Sequence, residues 1–132
     1  MKQILSALFF TTLLLFNIAH ASDAVKEVSV KEVQQLVDNK AVNVAILDAN
    51  NDGARADAGV VPGAILLSSY NQYALTELPK DKNTTLVFYC YNSYCQASHA
   101  AAQRAIDAGY KDARVMKAGI VGWNTAMTKT KS

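Results

Sequence analysis

The sequence predicts an α/β fold in which a mainly parallel sheet is flanked by helices on both faces. Two observations predict it. Short apolar runs rich in β-branched and aromatic residues, typical of buried strands, alternate along the chain with segments of helical spacing or helix-forming composition. Strands separated by helical segments usually pair in parallel, and a parallel sheet is buried on both of its faces.

Residues 1–21 have the features of a secretory signal peptide and are excluded from the predicted fold. Lys2 supplies the positive end, residues 4–18 are largely apolar, and a small-x-small sequence ends at Ala21. We expect cleavage after Ala21, which leaves residues 22–132 as a single domain that is secreted or periplasmic and has no membrane contact. An uncleaved membrane anchor is the alternative, and the polar sequence after the cleavage position favours removal.

The composition of the mature chain excludes several kinds of partner. Without Lys2 the chain keeps 12 basic residues against 11 acidic ones, a net charge of +1 with no basic block. Such a surface does not attract nucleic acid or acidic membranes, so neither is expected as a partner. Two cysteines are too few to scaffold a small domain, so ordinary packing must hold the fold, although export favours disulfide formation.

The first predicted elements are a strand and a capped helix. Residues 25–28 begin a short strand. Ser29 and Glu32, three residues apart, form a capping box that starts a helix. Its apolar positions at helical spacing are Val30, Val33, Leu36 and Val37.

Two further strands are predicted in the middle of the chain. Residues 42–47 are apolar and β-branched, and they form a buried strand that ends at Asp48. Residues 50–53 have the turn sequence Asn-Asn-Asp-Gly. Residues 59–64 form a tight connection into a short strand at 64–67.

The second half of the chain contains the segment around which the rest is organised. Residues 86–89 form a buried strand, and strong helix formers follow from about Cys95 to Gly109, a normal residue for a helix end. Residues 113–117 form the last strand. The remaining predictions are a surface helical turn at 70–78, a short last helix after a turn at 118–123, and a frayed tail at 129–132.

The two cysteines flank one strand-to-helix loop. Cys90 lies where a strand ends, and Cys95 lies in the first turn of the predicted helix. Unpaired N–H groups and the helix dipole favour negative charge there, so a thiol ionises more easily than a free one. Cys90 is therefore the candidate nucleophile, with a static structural cysteine as the alternative. The loop residues expected to line the pocket mouth are Tyr91, Asn92, Ser93 and Tyr94.

Four segments of the chain resemble the rhodanese-like (sulfurtransferase) domain family, in order and in spacing, across residues 28–126. They are Ile-Leu-Asp at 46–48, Gly-Val-Val-Pro-Gly-Ala at 59–64, Val-Phe-Tyr-Cys at 87–90 before a short loop and an Ala-rich helix, and Gly-Tyr at 109–110 with Ala-Gly-Ile-Val-Gly-Trp at 118–123. The resemblance implies a rhodanese-like α/β fold with five strands.

The resemblance also implies a reaction. The Cys90 thiolate takes a sulfane sulfur from a small donor such as thiosulfate, becomes a persulfide, and passes the sulfur to a thiol or a cyanide-like acceptor. A protein thiol is a further expected partner. No cofactor and no metal are needed for this chemistry.

The loop departs from the family's usual Cys-x-x-Gly-x-Arg pattern at two positions. Ser93 stands at the glycine position and Cys95 at the arginine position, so no loop residue carries a positive charge. Loss of that guanidinium predicts that thiosulfate binds about ten- to a hundredfold more weakly. Arg55 either supplies the missing charge or is a plain surface arginine. Asp48, at the same edge of the sheet, either braces the neighbouring loop or is a catalytic carboxylate, the weaker alternative.

Cys95 has two interpretations at this point. As a resolving thiol it would protect Cys90 in a reversible disulfide or attack its persulfide; otherwise it is a small buried hydrophobic residue. A site for a soft metal ion could be formed by Cys90, Cys95 and His99. His99 lies on the polar stripe of the predicted helix, which favours a solvated surface histidine, so no metal is predicted.

Two classes of function follow from the sequence. The first is an exported single-domain sulfurtransferase that works through a Cys90 persulfide. The second is a non-catalytic binding or redox-sensing module that uses the Cys90/Cys95 pair. A thiol-disulfide oxidoreductase is a weaker third class, because its usual motif has two intervening residues and this loop has four.

Overall fold

The structure is a computed structural model, and it describes residues 25–132. The predicted signal peptide at residues 1–21 lies outside the described residues. The elements in chain order are β1 (Lys26–Val28), α1 (Val30–Asp38), β2 (Val44–Asp48), α2 (Asp52–Ala58), β3 (Ile65–Leu66), a 3-10 turn (Leu75–Glu77), β4 (Thr85–Tyr89), α3 (Ala97–Asp107), β5 (Ala113–Met116) and α4 (Gly119–Thr130). None of the helices between residues 25 and 132 has the length and apolar composition needed to cross a bilayer.

The five strands form one sheet in the order β1-β5-β4-β2-β3, and every neighbouring pair is parallel. The predicted α/β fold with a parallel five-stranded sheet is confirmed. Strand β4 occupies the centre, and all five of its residues are buried. A strand covered on both faces needs such an uninterrupted apolar run, which is why this segment is the most readily recognised strand in the sequence.

Helices cover both faces of the sheet, and the two faces have separate cores. Leu86 and Phe88 of β4 pack with α3, whereas Val87 and Tyr89 pack with the residues of α1, α2 and α4. This alternation follows from the two-residue period of a strand. Cys90 continues the first series, so its side chain belongs to the α3 side of the sheet.

Several local predictions need correction. The predicted turn at 50–53 is instead the start of α2, because the Asn51 side chain caps the helix by accepting a hydrogen bond from the Ala54 N–H. Cys95 precedes α3 rather than lying in its first turn. Helix α4 has 12 residues and extends to Thr130, into the predicted frayed tail.

The capping box predicted for α1 is present in both directions. The Glu32 N–H donates to the Ser29 hydroxyl, and the Ser29 N–H donates to the Glu32 carboxylate at 2.7 Å. Val33 is fully buried in the core beneath the helix, but Val37 is 52% exposed. The buried apolar face of α1 is thus narrower than its spacing predicts.

Candidate active site

Cys90 lies at the carboxyl end of the central strand, immediately after β4, and only 2% of it is exposed. Its carbonyl accepts a hydrogen bond from the Ile120 N–H at 2.9 Å, and the next carbonyl, of Tyr91, accepts from the Val121 N–H at 3.0 Å. Both donors are N–H groups at the start of α4, which have no partner within their own helix. The first turn of α4 therefore holds the loop that follows Cys90.

Gly119 permits this close contact between α4 and the loop. Its φ of +65° lies in the left-handed region, and a Cβ atom there would be 2.5 Å from the Tyr91 carbonyl carbon and oxygen. Only glycine meets both requirements. Gly119, which lies in the last of the four segments that resemble the family, thus directly shapes the loop that follows Cys90.

The cysteine loop, residues 90–95, curls around Asn92. The Asn92 side-chain oxygen accepts from the Tyr94 N–H, and its carbonyl accepts from the Cys95 N–H, each at 3.1 Å. The curl brings the Cα atoms of Cys90 and Cys95 to 6.2 Å, and the two sulfur atoms are joined in a disulfide. The sequence left open whether Cys95 contacts Cys90 or is only a small buried residue, and in this structure the two cysteines are in contact.

Ser98 is a neighbour of Cys90 that sequence reasoning did not assign to the site. Its hydroxyl oxygen lies 3.3 Å from Cys90 Sγ, and the residue is 1% exposed. The sequence predicted main-chain amides around this sulfur; in the disulfide form, among residues 25–132, its hydrogen-bond partner is the Ser98 hydroxyl instead. Helical spacing is the sequence feature that could have indicated this contact, because Ser98 shares the inward face of α3 with Ala102 and Ala105.

The other loop side chains lie near or at the surface. Tyr94 is 88% exposed, Ser93 is exposed, and Tyr91 and Asn92 are partly buried. The Tyr91 hydroxyl donates to the Asp57 carboxylate on α2 at 2.5 Å, and this hydrogen bond raises the pKa of Tyr91. Asp57, which the sequence did not single out, thus places a negative charge beside the loop.

Asp48 is fully buried and braces the carboxyl end of the sheet. One of its oxygens accepts from the Asn50 N–H at 2.7 Å, and the other accepts from the Tyr89 hydroxyl at 2.7 Å. The Tyr89 hydroxyl in turn accepts from the Val61 N–H at 3.0 Å. Burial and the Asp48 hydrogen bond raise the pKa of Tyr89, so the phenol stays protonated. These contacts are those of a bracing residue.

Arg55 contributes to the same brace. Its guanidinium donates to the carbonyls of Leu67 at 2.9 Å and Asp48 at 3.2 Å, and it lies 3.6 Å from the Asp48 carboxylate. A further hydrogen bond joins it to Asp52 at 3.2 Å. All polar contacts of Arg55 in the described part of the chain are with α2, β2 and the residue that follows β3, and none is with the cysteine loop.

Among residues 25–132, the His99 side chain bonds to Glu27 rather than to either cysteine sulfur. Its Nε2 is 3.1 Å from a carboxylate oxygen of Glu27, and this bond is the largest influence that lowers the pKa of Glu27. Between residues 25 and 132, no group of three or more histidine, cysteine or acidic side chains is arranged to hold a metal ion. The contact of His99 is that of a histidine linking α3 to β1.

The fold and the site together define a parallel α/β domain with a cysteine at the start of the loop that follows its central strand. The family model described as a Rhodanese-like domain matches residues 29–126. The chain belongs to the rhodanese-like domain family. No curated protein sequence matches the chain at a significant level.

Several solved structures share the fold. A thiosulfate sulfurtransferase from Pseudomonas aeruginosa is 23% identical with a TM-score of 0.61; the match covers 78% of this chain and 19% of that one. A human single-domain sulfurtransferase is 22% identical with a TM-score of 0.57, covering 76% and 96%. A Rhodopseudomonas palustris protein of unknown function, described as a possible tyrosine phosphatase, is 22% identical with a TM-score of 0.64, covering 78% and 82%.

Proposed function

We propose that this chain is a sulfurtransferase that moves a sulfane sulfur through a persulfide on Cys90. The observation that carries the proposal is the position of Cys90 at the carboxyl end of the central strand of a rhodanese-like domain, in a loop held by α4. Ligands of open parallel sheets bind at this edge. The sulfurtransferases among the structural neighbours support the same chemistry.

The proposed reaction begins with the reduced protein. The Cys90 thiolate attacks the sulfane sulfur of the donor, a sulfur–sulfur bond forms on Cys90, and the remainder of the donor leaves as an anion. The thiol or cyanide-like acceptor then takes the outer sulfur and restores the thiolate. No metal or organic cofactor enters either step.

Two features at the start of α3 favour an anionic sulfur on Cys90. The Ser98 hydroxyl, 3.3 Å from Sγ, is within reach to donate a hydrogen bond to a thiolate. Helix α3 begins at Ala97 without a side-chain cap, so its first N–H groups have no side-chain partner. An uncapped helix start favours nearby negative charge.

The charges around the loop argue for a donor other than thiosulfate. The loop has no cationic residue, Arg55 is bonded to the sheet brace, and Asp57 adds a negative charge through Tyr91. A doubly charged anion gains little attraction here. We therefore propose a persulfide of a small or protein thiol as the donor, because it carries less charge at the reacting sulfur.

The test compares two variants that each keep one thiol. Reduced Cys95→Ser and Cys90→Ser proteins are treated with glutathione persulfide or thiosulfate, and their intact masses are measured. We expect one added sulfur on Cys95→Ser, faster with glutathione persulfide, and none on Cys90→Ser. The loaded variant should convert cyanide to thiocyanate. Equal loading of both variants would contradict a specific role for Cys90.

The disulfide favours a second candidate, a redox-sensing module in which the Cys90–Cys95 bond reports oxidation. The two candidates differ in the behaviour of fully reduced protein. Absence of sulfur transfer from thiosulfate, polysulfide and glutathione persulfide, with a disulfide that still forms and breaks under mild redox buffers, would favour the sensor.

We also propose that the chain is exported, with cleavage after Ala21 and release into the periplasm or the medium. The apolar stretch and the small-x-small sequence before Ser22 support it. Amino-terminal sequencing of the mature protein tests the proposal, and a mature chain that begins at Ser22 is the expected result.

A further inference from the structure

The disulfide shows that the Cys95 sulfur reaches the Cys90 sulfur within the folded protein. The 6.2 Å between the Cα atoms falls in the range of about 4.4–6.8 Å found for disulfides. The two hydrogen bonds to Asn92 and the two from α4 hold the loop in this curled form. Any sulfur attached to Cys90 Sγ is therefore attached to an atom that a second thiol can attack.

We propose that Cys95 resolves the Cys90 persulfide and releases its outer sulfur as sulfide, so that the protein is a sulfane-sulfur reductase for persulfide substrates. This inference rests on the proposed persulfide on Cys90. It assigns Cys95 as a second catalytic residue, and it names the product as inorganic sulfide rather than a sulfurated acceptor.

The reaction has two balanced steps. First, the Cys90 thiolate attacks the outer sulfur of a thiol persulfide, R–S–SH; the Cys90 persulfide, Cys90–S–SH, forms and the thiolate R–S⁻ leaves. Second, the Cys95 thiolate attacks Cys90 Sγ; the Cys90–Cys95 bond forms, the bond to the outer sulfur breaks, and that sulfur leaves as hydrosulfide with its proton. The sulfane sulfur is reduced by two electrons, and the two cysteine thiols are oxidised to the disulfide.

Proximity decides whether Cys95 or an external acceptor attacks the Cys90 persulfide first. The two thiols are separated by a short loop, and such linked groups have effective concentrations on the order of millimolar or higher. An external acceptor present well below that concentration loses to Cys95. Cys95 ends a loop that has no cationic side chain, so the loop offers the intermediate a second thiol and no positive charge that would hold an anionic donor.

A dithiol completes the cycle, because reopening the bond needs two electrons. Cys95 is partly buried whereas Cys90 is 2% exposed, so an incoming thiolate reaches Cys95 first. That attack forms a mixed disulfide on Cys95 and frees Cys90 as a thiolate. The second thiol of the reductant then displaces Cys95, the reductant leaves as its own disulfide, and both cysteines are reduced again.

The test is a single turnover without added reductant. Reduced wild-type protein and the Cys95→Ser variant each receive one equivalent of glutathione persulfide; free sulfide is measured, thiols are alkylated, and intact masses are recorded. Cys90→Ser gives the background. We expect wild type to release about one equivalent of sulfide and to end as the disulfide, and Cys95→Ser to keep one extra sulfur and release only background sulfide.

Two other outcomes separate this inference from the function on which it rests. If both wild type and Cys95→Ser retain the extra sulfur and neither releases sulfide above background, Cys95 does not resolve the persulfide and the inference is overturned, while the sulfurtransferase proposal stands. If folded, fully reduced Cys95→Ser takes up no sulfur from any donor, the Cys90 persulfide itself is wrong. Circular dichroism of each reduced sample establishes folding before the reaction.

Discussion

At the scale of single residues, the Tyr89 hydroxyl joins three segments at the edge of the sheet where Cys90 lies. It donates to the carboxylate of Asp48 on β2, and it accepts from the N–H of Val61 in the connection before β3. All three residues are essentially inaccessible to water. Buried polar groups that lose their partner are costly, so this one oxygen atom stabilises the edge from which Cys90 projects.

We therefore expect Tyr89→Phe to lower the free energy of unfolding by about 2–3 kcal/mol, because it leaves a buried carboxylate oxygen and a buried N–H unpaired. Tyr73→Phe is the matched control, since Tyr73 is equally buried and its hydroxyl donates only to the Ala101 carbonyl. That carbonyl lies within α3 and keeps its helical partner, so the control should lose about 1 kcal/mol. Urea denaturation of both variants measures the difference, and equal losses would contradict the proposed bridge.

Asp112 gives a second prediction at this scale, on the pH dependence of stability. Its hydrogen bonds from Arg114, both 2.8 Å, hold the pKa of the Asp112 carboxyl below its ordinary value, and Thr85 adds another at 3.1 Å. A lowered pKa in the folded state stabilises the protein above the unfolded pKa, near 4, and this stabilisation is lost as the pH falls through the folded value.

Asp112→Asn should therefore lose less stability than wild type when the pH is lowered from about 5 to about 3. Asp38→Asn is the control, because Asp38 is exposed at the last residue of α1 and makes no side-chain hydrogen bond in the described part of the chain. Urea midpoints at several pH values measure both. A pH dependence that is the same in wild type and Asp112→Asn would exclude a contribution from the Arg114 contact.

At the scale of elements, the junction between α4 and the cysteine loop determines the shape of the site. Gly119→Ala would place a Cβ atom 2.5 Å from the Tyr91 carbonyl at a φ of +65°. Gly63→Ala has a similar φ of +79° but meets no atom within 4 Å, so it isolates the backbone strain from the collision.

We expect Gly63→Ala to lose about 1 kcal/mol of stability and to keep its rate of sulfur loading. Gly119→Ala should lose more stability and slow the proposed loading of Cys90 roughly ten- to a hundredfold, because the loop that begins at Cys90 must shift. Sulfur loading from glutathione persulfide, measured in the Cys95→Ser background, checks this. Similar rates for the two glycine variants would indicate that the junction does not position Cys90.

The elements also show what the sequence can and cannot predict. Strand β4 is predictable because burial on both faces leaves an apolar run in the sequence. Helix α2 is not, because its seven residues begin with Asp-Gly and include no buried residue; it depends on the cap supplied by Asn51. Likewise, the contact of Ser98 with Cys90 depends on how far the loop curls, which the hydrogen bonds to Asn92 and from α4 decide.

At the scale of the whole molecule, the parallel sheet brings together residues far apart in the sequence. The carboxyl ends of β2 and β4 place Asp48 and Tyr89 side by side, and the chain crosses to α4 to hold the loop after Cys90. The order of secondary structure elements alone predicts that edge as the site. The reaction that we propose at that edge uses two thiols, so it requires a fold that stays intact when they are reduced.

The small ring closed by the disulfide predicts that reduction leaves the protein folded. Cross-linking residues five apart removes little entropy from the unfolded chain, and the ring contributes about 2 kcal/mol at most by this effect. Two apolar cores on either side of the sheet hold the fold independently of that bond. We expect the urea midpoint to fall by no more than about 1–2 M in dithiothreitol and to match that of Cys95→Ser, while the far-ultraviolet circular dichroism stays unchanged. Unfolding on reduction would contradict this expectation and also the proposed reductase cycle. A bond that opens in every turnover of that cycle cannot also be the bond that keeps the chain folded.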